Sequence, residues 1–117
     1  MIKLNELVKE FADCVAAQRE AIEKCDPNRG NKLADRYIGA FKKLRARGNE
    51  GREALATLLH DNRADVRVMA AAYLLRYKTE QARAVLEAEA KGRGFVAFGA
   101  AQALQRWKEG TWALDPE

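Results

Sequence analysis

The sequence predicts an all-α protein of about six helices. Apolar residues recur at the three- and four-residue spacing of amphipathic helices along most of the 117 residues. The chain has two prolines, Pro27 and Pro116, and neither interrupts a periodic stretch. No stretch alternates β-branched and aromatic residues with polar ones between turn signals, so no strand is predicted.

The first two predicted helices form a hairpin. The first runs from Leu4 to about Lys24, where apolar residues follow one helical face and acidic residues fill much of the remainder. The turn-forming sequence CDPNRGN comes next, and a second apolar stripe extends from Leu33 to Leu44. Gly48 is expected to end this second helix.

Four further helices are predicted, each bounded by a turn or capping residue. Asp65 is the expected N-cap of the fourth and Thr79 that of the fifth, whereas Gly110 should stop the sixth. The predicted bounds are Glu50–Leu59, Val66–Tyr77, a fifth helix from Thr79 through about Lys91, and Phe95–Glu109.

Length and composition predict one globular domain over residues 1–117. Hydrophobic residues make up 48% and charged residues 32% of the chain, which a long disordered protein would not show. The net charge of +4 is below that of a dedicated nucleic-acid binder. The first residues, MIKLNELVKEFADC, resemble neither a secretory signal nor a membrane span, so we expect a cytoplasmic protein without a membrane partner.

Few residues suit catalysis. Cys14 and Cys25 would lie about 16 Å apart along one helix, too far for a disulfide, and are predicted to be packed thiols. His60 is expected to lie at the end of a short helix, where the macrodipole favours it. No metal, nucleotide or hydrolase motif occurs. We therefore expect no enzyme activity, no cofactor, no bound metal and no small-molecule substrate.

A thirty-residue internal repeat covers the second half of the chain. Sliding the sequence by thirty aligns eight identical pairs within residues 54–78, where composition alone would give roughly two or three. The pairs include Val66 with Val96, Ala70 with Ala100, and Leu74 with Leu104. A helix pair cannot bury its apolar stripe alone, so a repeated pair is expected to stack on its copy through small residues.

The stretch LATLLHDNRADVRVMAAAYLLRY resembles a HEAT repeat. The residues that carry the resemblance are Leu55, Leu58, Leu59, Asp61, Asp65, Val66, Arg67, Ala70, Ala71 and Leu74. The second copy departs from it, because Ala97 replaces the arginine of the repeat and the turn is not acidic. The whole chain also resembles a small bacterial HEAT-like family of unknown function, and its size and build resemble those of immunity proteins.

This resemblance implies a compact HEAT-like α-solenoid stack. An N-terminal hairpin (residues 1–48) would cap two repeats (49–78 and 79–110), followed by a tail (111–117). We expect Trp112 and Leu114 in the tail to fold back over the last helix pair, with a free tail that binds a partner as the alternative.

One side of the two repeated helices lacks the usual polar residues. Placing residues at 100° steps puts Val68, Leu75 and Arg76 on the side opposite the core stripe. Either another helix buries this side, or it lines a groove that binds a protein partner. For the second possibility the predicted partner-binding residues are Val68, Leu75, Arg76, Phe98, Gln102 and Arg106.

A basic run supports an alternative function. The run with its flanking arginine comprises Lys42, Lys43, Arg45, Arg47 and Arg52. These cations could contact the phosphates of a nucleic acid, or they could form a solvated helix C-terminus. The sequence favours a non-enzymatic protein-interaction module, such as an immunity-type or regulatory protein, over a nucleic-acid-binding HEAT-like protein.

Overall fold

A computed structural model of the chain describes residues 3–112, and every regular element in this range is helical. The six α-helices are α1 (Leu4–Glu23), α2 (Pro27–Ala46), α3 (Asn49–Ala56), α4 (Ala64–Leu74), α5 (Thr79–Ala90) and α6 (Phe95–Glu109). A 3-10 turn, Thr57–His60, follows α3. The prediction of an all-α chain with about six helices is confirmed. None of the helices in the described range is long and apolar enough to cross a membrane.

The helices group into two compact units, an N-terminal unit (Met1–Leu58) and a C-terminal unit (Leu59–Glu117). In the N-terminal unit, α1 and α2 form the predicted hairpin and α3 contacts both of them. Phe11 and Leu44 are fully buried between these helices. The ring of Tyr37 meets that of Phe11 edge to face, with centroids 5.7 Å apart.

Helix α2 begins six residues before the apolar stripe that predicted it. Asp26 is its N-cap and accepts a hydrogen bond from the backbone N–H of Arg29 at 3.1 Å. Pro27 occupies the first helical turn, where its missing N–H costs nothing. The turn-forming residues of CDPNRGN therefore start a helix as well as ending one.

The two cysteines lie in different environments. Cys14 is buried in α1, and this burial raises the pKa of its thiol. Cys25 is exposed in the turn after α1 and adopts a φ of 57°. The prediction of two packed thiols is therefore wrong for Cys25, because α1 ends at Glu23 and the chain turns before reaching it.

Helix α4 is the most buried element of the C-terminal unit. No residue from Ala64 to Leu75 is exposed, and α4 contacts both α5 and α6. Arg67 is the half-buried cation of this helix, and its guanidinium donates to Glu89 of α5 at 2.7 Å and 3.1 Å. The same guanidinium donates to the backbone carbonyl of Asp61 at 2.8 Å. These bonds satisfy the charge that α4 takes out of water.

Two predicted N-caps are wrong. Arg63 precedes α4 in the N-cap position, and the Asp65 carboxylate instead accepts from the Arg63 guanidinium at 2.8 Å and 3.0 Å. Lys78 holds the N-cap position of α5, while the hydroxyl of Thr79 donates to the Leu75 carbonyl. This bond follows the early end of α4 at Leu74, three residues before the predicted end.

Helix α6 ends as predicted. Gly110 adopts the left-handed conformation (φ 77°) directly after Glu109, which a residue with a Cβ rarely does. The chain then turns back, and the indole N–H of Trp112 donates to the Ala72 carbonyl at 2.8 Å. Trp112 thus packs on its own chain, within the C-terminal unit. Leu114 and the rest of the tail lie outside the described residues.

The structure predicts unequal costs for the two leucines that the repeat aligns. Leu74 is fully buried, whereas Leu104 is only half-buried. Leu74→Ala is expected to lower the free energy of unfolding by about 2–5 kcal/mol, and Leu104→Ala by less than about 2 kcal/mol. Chemical denaturation of the two variants measures the difference. Equal losses would contradict the burial of α4.

A second stability prediction concerns Gly51. A Cβ at this position would lie 1.8 Å from the carbonyl oxygen of Leu44, a backbone atom of α2 that cannot move aside alone. Gly51→Ala is therefore expected to cost about 3 kcal/mol or more. Gly39 of α2 has open space and is the matched control, since Gly39→Ala should stabilise the helix by about 0.5–1 kcal/mol. A neutral Gly51→Ala variant would show that α2 and α3 do not approach this closely.

Candidate functional site

The structure separates the predicted partner-binding residues into a buried and an exposed group. Val68 is 9% exposed and Leu75 is 0% exposed, so neither can anchor a partner at the surface. The groove interpretation is wrong for these two residues, because no residue of α4 is exposed and the side that carries them is packed within the fold. Arg76 follows the end of α4 and is exposed.

The predicted residues on the last helix are all exposed. Phe98, Gln102 and Arg106 are spaced by four residues along α6, which places them on one side of the helix. The opposite side buries Ala97, Ala100 and Ala103. The exposed group therefore lies on a continuous side of α6 that no other described helix covers.

The sequence analysis missed Phe95 as a member of this group. Phe95 is 68% exposed and Phe98 is 63% exposed, and they lie three residues apart on the first turn of α6. Together with Gly94 they line an open depression whose surface is almost wholly apolar. Phe95 falls one residue after the GRG turn, and a helix wheel that starts at Phe95 would have placed it beside Phe98.

The local backbone and packing of α6 explain why the large side chains of Phe95 and Phe98 remain exposed. Gly94 precedes α6 with a φ of 91°, which lets the chain turn sharply into the helix. Small residues then face the C-terminal unit, which permits close packing of α6 on its neighbours. Helix α6 thus buries alanines and exposes phenylalanines, the reverse of an ordinary amphipathic helix.

Positive charge surrounds this part of the chain. No acidic residue occurs between Glu89 and Glu109, whereas this interval holds Lys91, Arg93, Arg106 and Lys108. Glu89 itself is engaged by Arg67. The exposed side of α6 therefore carries two aromatic rings and Arg106, and the residues that precede the helix are basic.

The basic residues of the alternative function are less accessible than the sequence predicts. Lys42 and Lys43 are exposed at the end of α2, but Arg45, Arg47 and Arg52 are half-buried. Arg47 also contacts the Glu50 carboxylate at 3.4 Å. Lys43 and Arg45 lie in the last turn of α2, where cations offset the helix dipole.

Among residues 3–112, no three or more His, Cys, Asp or Glu side chains form a group that could hold a metal ion. His60 is exposed at the end of the 3-10 turn that follows α3. The raised pKa of the buried Cys14 thiol keeps it in the unreactive protonated form at neutral pH.

Comparison with known proteins identifies a similar solved structure and a matching family. The chain is similar to the crystal structure of the protein RPA1889 from Rhodopseudomonas palustris CGA009, with a TM-score of 0.88 and 28% sequence identity. The match covers 95% of this chain and 93% of that chain, so the two share their fold over almost their full lengths. A family model described as a domain of unknown function (DUF2019) matches residues 5–106. None of the curated proteins matches the chain.

Proposed function

The chain belongs to the DUF2019 family, a domain of unknown function, and we propose that it acts without catalysis as a protein-binding module. The proposed contact surface, the α6 surface, comprises Phe95, Phe98, Gln102 and Arg106. Its site of action would be the bacterial cytoplasm.

One observation carries this proposal, the exposure of Phe95 and Phe98 at 68% and 63%. Burying a phenylalanine side chain contributes about 1.5–3 kcal/mol, and a partner that covers the exposed part of each ring would gain a share of it. Aromatic residues also concentrate at the energetic centres of protein interfaces. Two such rings on one helical turn suit the apolar anchor of a protein interface.

The polar residues of the α6 surface suit the rim of such an interface. Gln102 and Arg106 continue the exposed side of the helix beyond the phenylalanines. Arginine is enriched in interfaces because its planar guanidinium binds carboxylates with two parallel hydrogen bonds. Arg76, which the thirty-residue repeat aligns with Arg106, is also exposed and could extend the contact.

We further propose that α4 and α6 are the second helices of two HEAT-like repeats. Ala70 of α4 and its partner in the alignment, Ala100 of α6, are both fully buried, which supports equivalent packing. The bonds of Arg67 to Glu89 and to the preceding turn suit the structural arginine of such a repeat. The half-buried Leu104 suits a terminal repeat, which has no following neighbour.

A specific form of this function is the neutralisation of a toxin or the regulation of an enzyme encoded nearby. The size of the chain and the absence of catalytic motifs agree with this role. Its genomic neighbours test it, because an immunity protein is encoded beside the protein that it neutralises.

Affinity capture from the native host tests the α6 surface. Phe95→Ser combined with Phe98→Ser should remove the specifically captured partner, because the apolar anchor is lost, and so should Arg76→Glu combined with Arg106→Glu. Ile22 is 47% exposed on α1, so Ile22→Ser is the matched control and should capture normally. Quantitative mass spectrometry measures capture, and circular dichroism verifies folding. Undiminished capture of every partner by the phenylalanine variant would place the binding surface elsewhere.

Nucleic-acid binding is the alternative, and its salt dependence distinguishes it. Phosphate contacts release counterions, so such binding would weaken steeply between low and moderate salt. We expect no binding of labelled duplex or single-stranded DNA at low salt. Steeply salt-dependent binding that is lost when Lys42, Lys43, Arg45 and Arg47 are neutralised would support the alternative and contradict the protein-binding proposal.

A further inference from the structure

We propose that the α6 surface binds an acidic protein segment, one that carries Asp or Glu beside large apolar side chains. This inference rests on the proposed function and specifies the chemistry of the partner. Two properties of the surface carry it, the charge of the chain around α6 and the small extent of the apolar patch.

The charge of this region favours an acidic partner. From Ala90 to Lys108 the chain holds four cations and no acid. Two of these cations, Lys91 and Arg93, precede Phe95 by four and two residues, and both are exposed. No ion pair joins either of them to an acid within residues 3–112, and the nearest acid in sequence, Glu89, is bound to Arg67. A partner carboxylate would gain from these charges, and a partner cation would be repelled.

The apolar part of the partner follows from the two phenylalanines. The depression lined by Gly94, Phe95 and Phe98 is open and almost wholly apolar. A polar side chain of a partner would find no hydrogen-bond partner there and would gain no binding free energy. An aliphatic or aromatic side chain would fill it. The acidic groups of the same segment would then reach the cations that precede Phe95 and, about two to three turns along α6, Arg106.

The small apolar area argues against a membrane as the occupant. A helix that lies in a membrane interface needs an apolar face along its whole length. Beyond Phe98 the exposed side of α6 continues with Gln102, Gln105 and Arg106, which would resist burial in lipid. Two phenylalanines on one helical turn provide an apolar area that matches one or two side chains of a bound peptide.

The same geometry argues against single-stranded nucleic acid. Such ligands require a groove that follows the phosphate backbone, with aromatic rings interleaved among the cations. Here both aromatic rings lie on a single turn, and only two cations precede them. The occupant that uses both the apolar depression and the neighbouring cations is an acidic protein segment.

Selection from a displayed library of random peptides tests the proposal on the full chain. Peptides enriched on the wild-type protein are expected to be net acidic and to carry at least one aromatic residue or leucine. A fluorescein-labelled enriched peptide should bind about tenfold or more weakly after Phe95→Ser with Phe98→Ser, and also after Lys91→Glu with Arg93→Glu. Lys42→Glu with Lys43→Glu reverses two exposed charges on α2 and should leave the affinity unchanged.

Several results would overturn the proposal. They are enrichment of neutral or basic peptides, no enrichment above the phenylalanine variant, or acidic peptides that bind the phenylalanine variant equally well. Phenylalanine-dependent binding to phosphatidylcholine and phosphatidylglycerol vesicles, or to oligothymidine, would assign the surface to lipid or nucleic acid instead. If host capture depends on Phe95 and Phe98 but the enriched peptides are not acidic, this inference fails while the proposed function stands. If host capture ignores both residues, the proposed function itself fails.

Discussion

The burial of α4 on all sides is the constraint on which the C-terminal unit depends. A helix without an exposed residue from Ala64 to Leu75 must be covered by its neighbours, and α5 and α6 both contact it. The half-buried guanidinium of Arg67 on α4 needs bonded partners, because an unpaired charge there would be strongly destabilising. Arg67 is therefore bonded to Glu89 of α5 and to the turn before α4. One guanidinium thus joins three segments of the unit, through an ion pair and a hydrogen bond.

The exposed side of α6 follows from how this helix packs. Alanines at positions 97, 100 and 103 supply the buried residues of one face of α6, which allows close approach. Val96 and Leu104 lie on the same face and are half-buried. Phe95 and Phe98 lie farther round the helix and remain in solvent. Their exposure is thus a consequence of small-residue packing.

Helix existence and order were predictable from the sequence because the apolar periodicity is strong and Pro27, the proline within the described helices, lies in the first turn of α2. Helix ends were less predictable, since they depend on local hydrogen bonds. Asp26 starts α2 inside a run of turn formers, and the fourth helix ends early at Leu74. Apolar periodicity indicates which side chains could be buried. It does not indicate which backbone groups at a helix end form hydrogen bonds outside the helix.

The candidate site was predictable only in part, and the reason is physical. An apolar side opposite a core stripe has two explanations, a second packing contact or a binding surface, and both give the same sequence pattern. Tertiary packing decides between them. It buried Val68 and Leu75 on α4 and left Phe98 exposed on α6, although the repeat treats the two helices as equivalent. Helix α4 contacts both α5 and α6, whereas α6 is the last described helix of the chain.

The Arg67–Glu89 ion pair also affects the electrostatics of the α6 surface. Glu89 is the last acid before nineteen residues, Ala90 to Lys108, that contain only cations and neutral residues. Its carboxylate lies 2.7 Å from the Arg67 guanidinium, so its charge is already balanced within the fold. Lys91 and Arg93 consequently keep their positive field beside Phe95 and Phe98. The interaction that stabilises α4 thus also balances the acid nearest to Lys91 and Arg93 in the sequence. In the proposed function, the same arginine therefore bears on both stability and recognition.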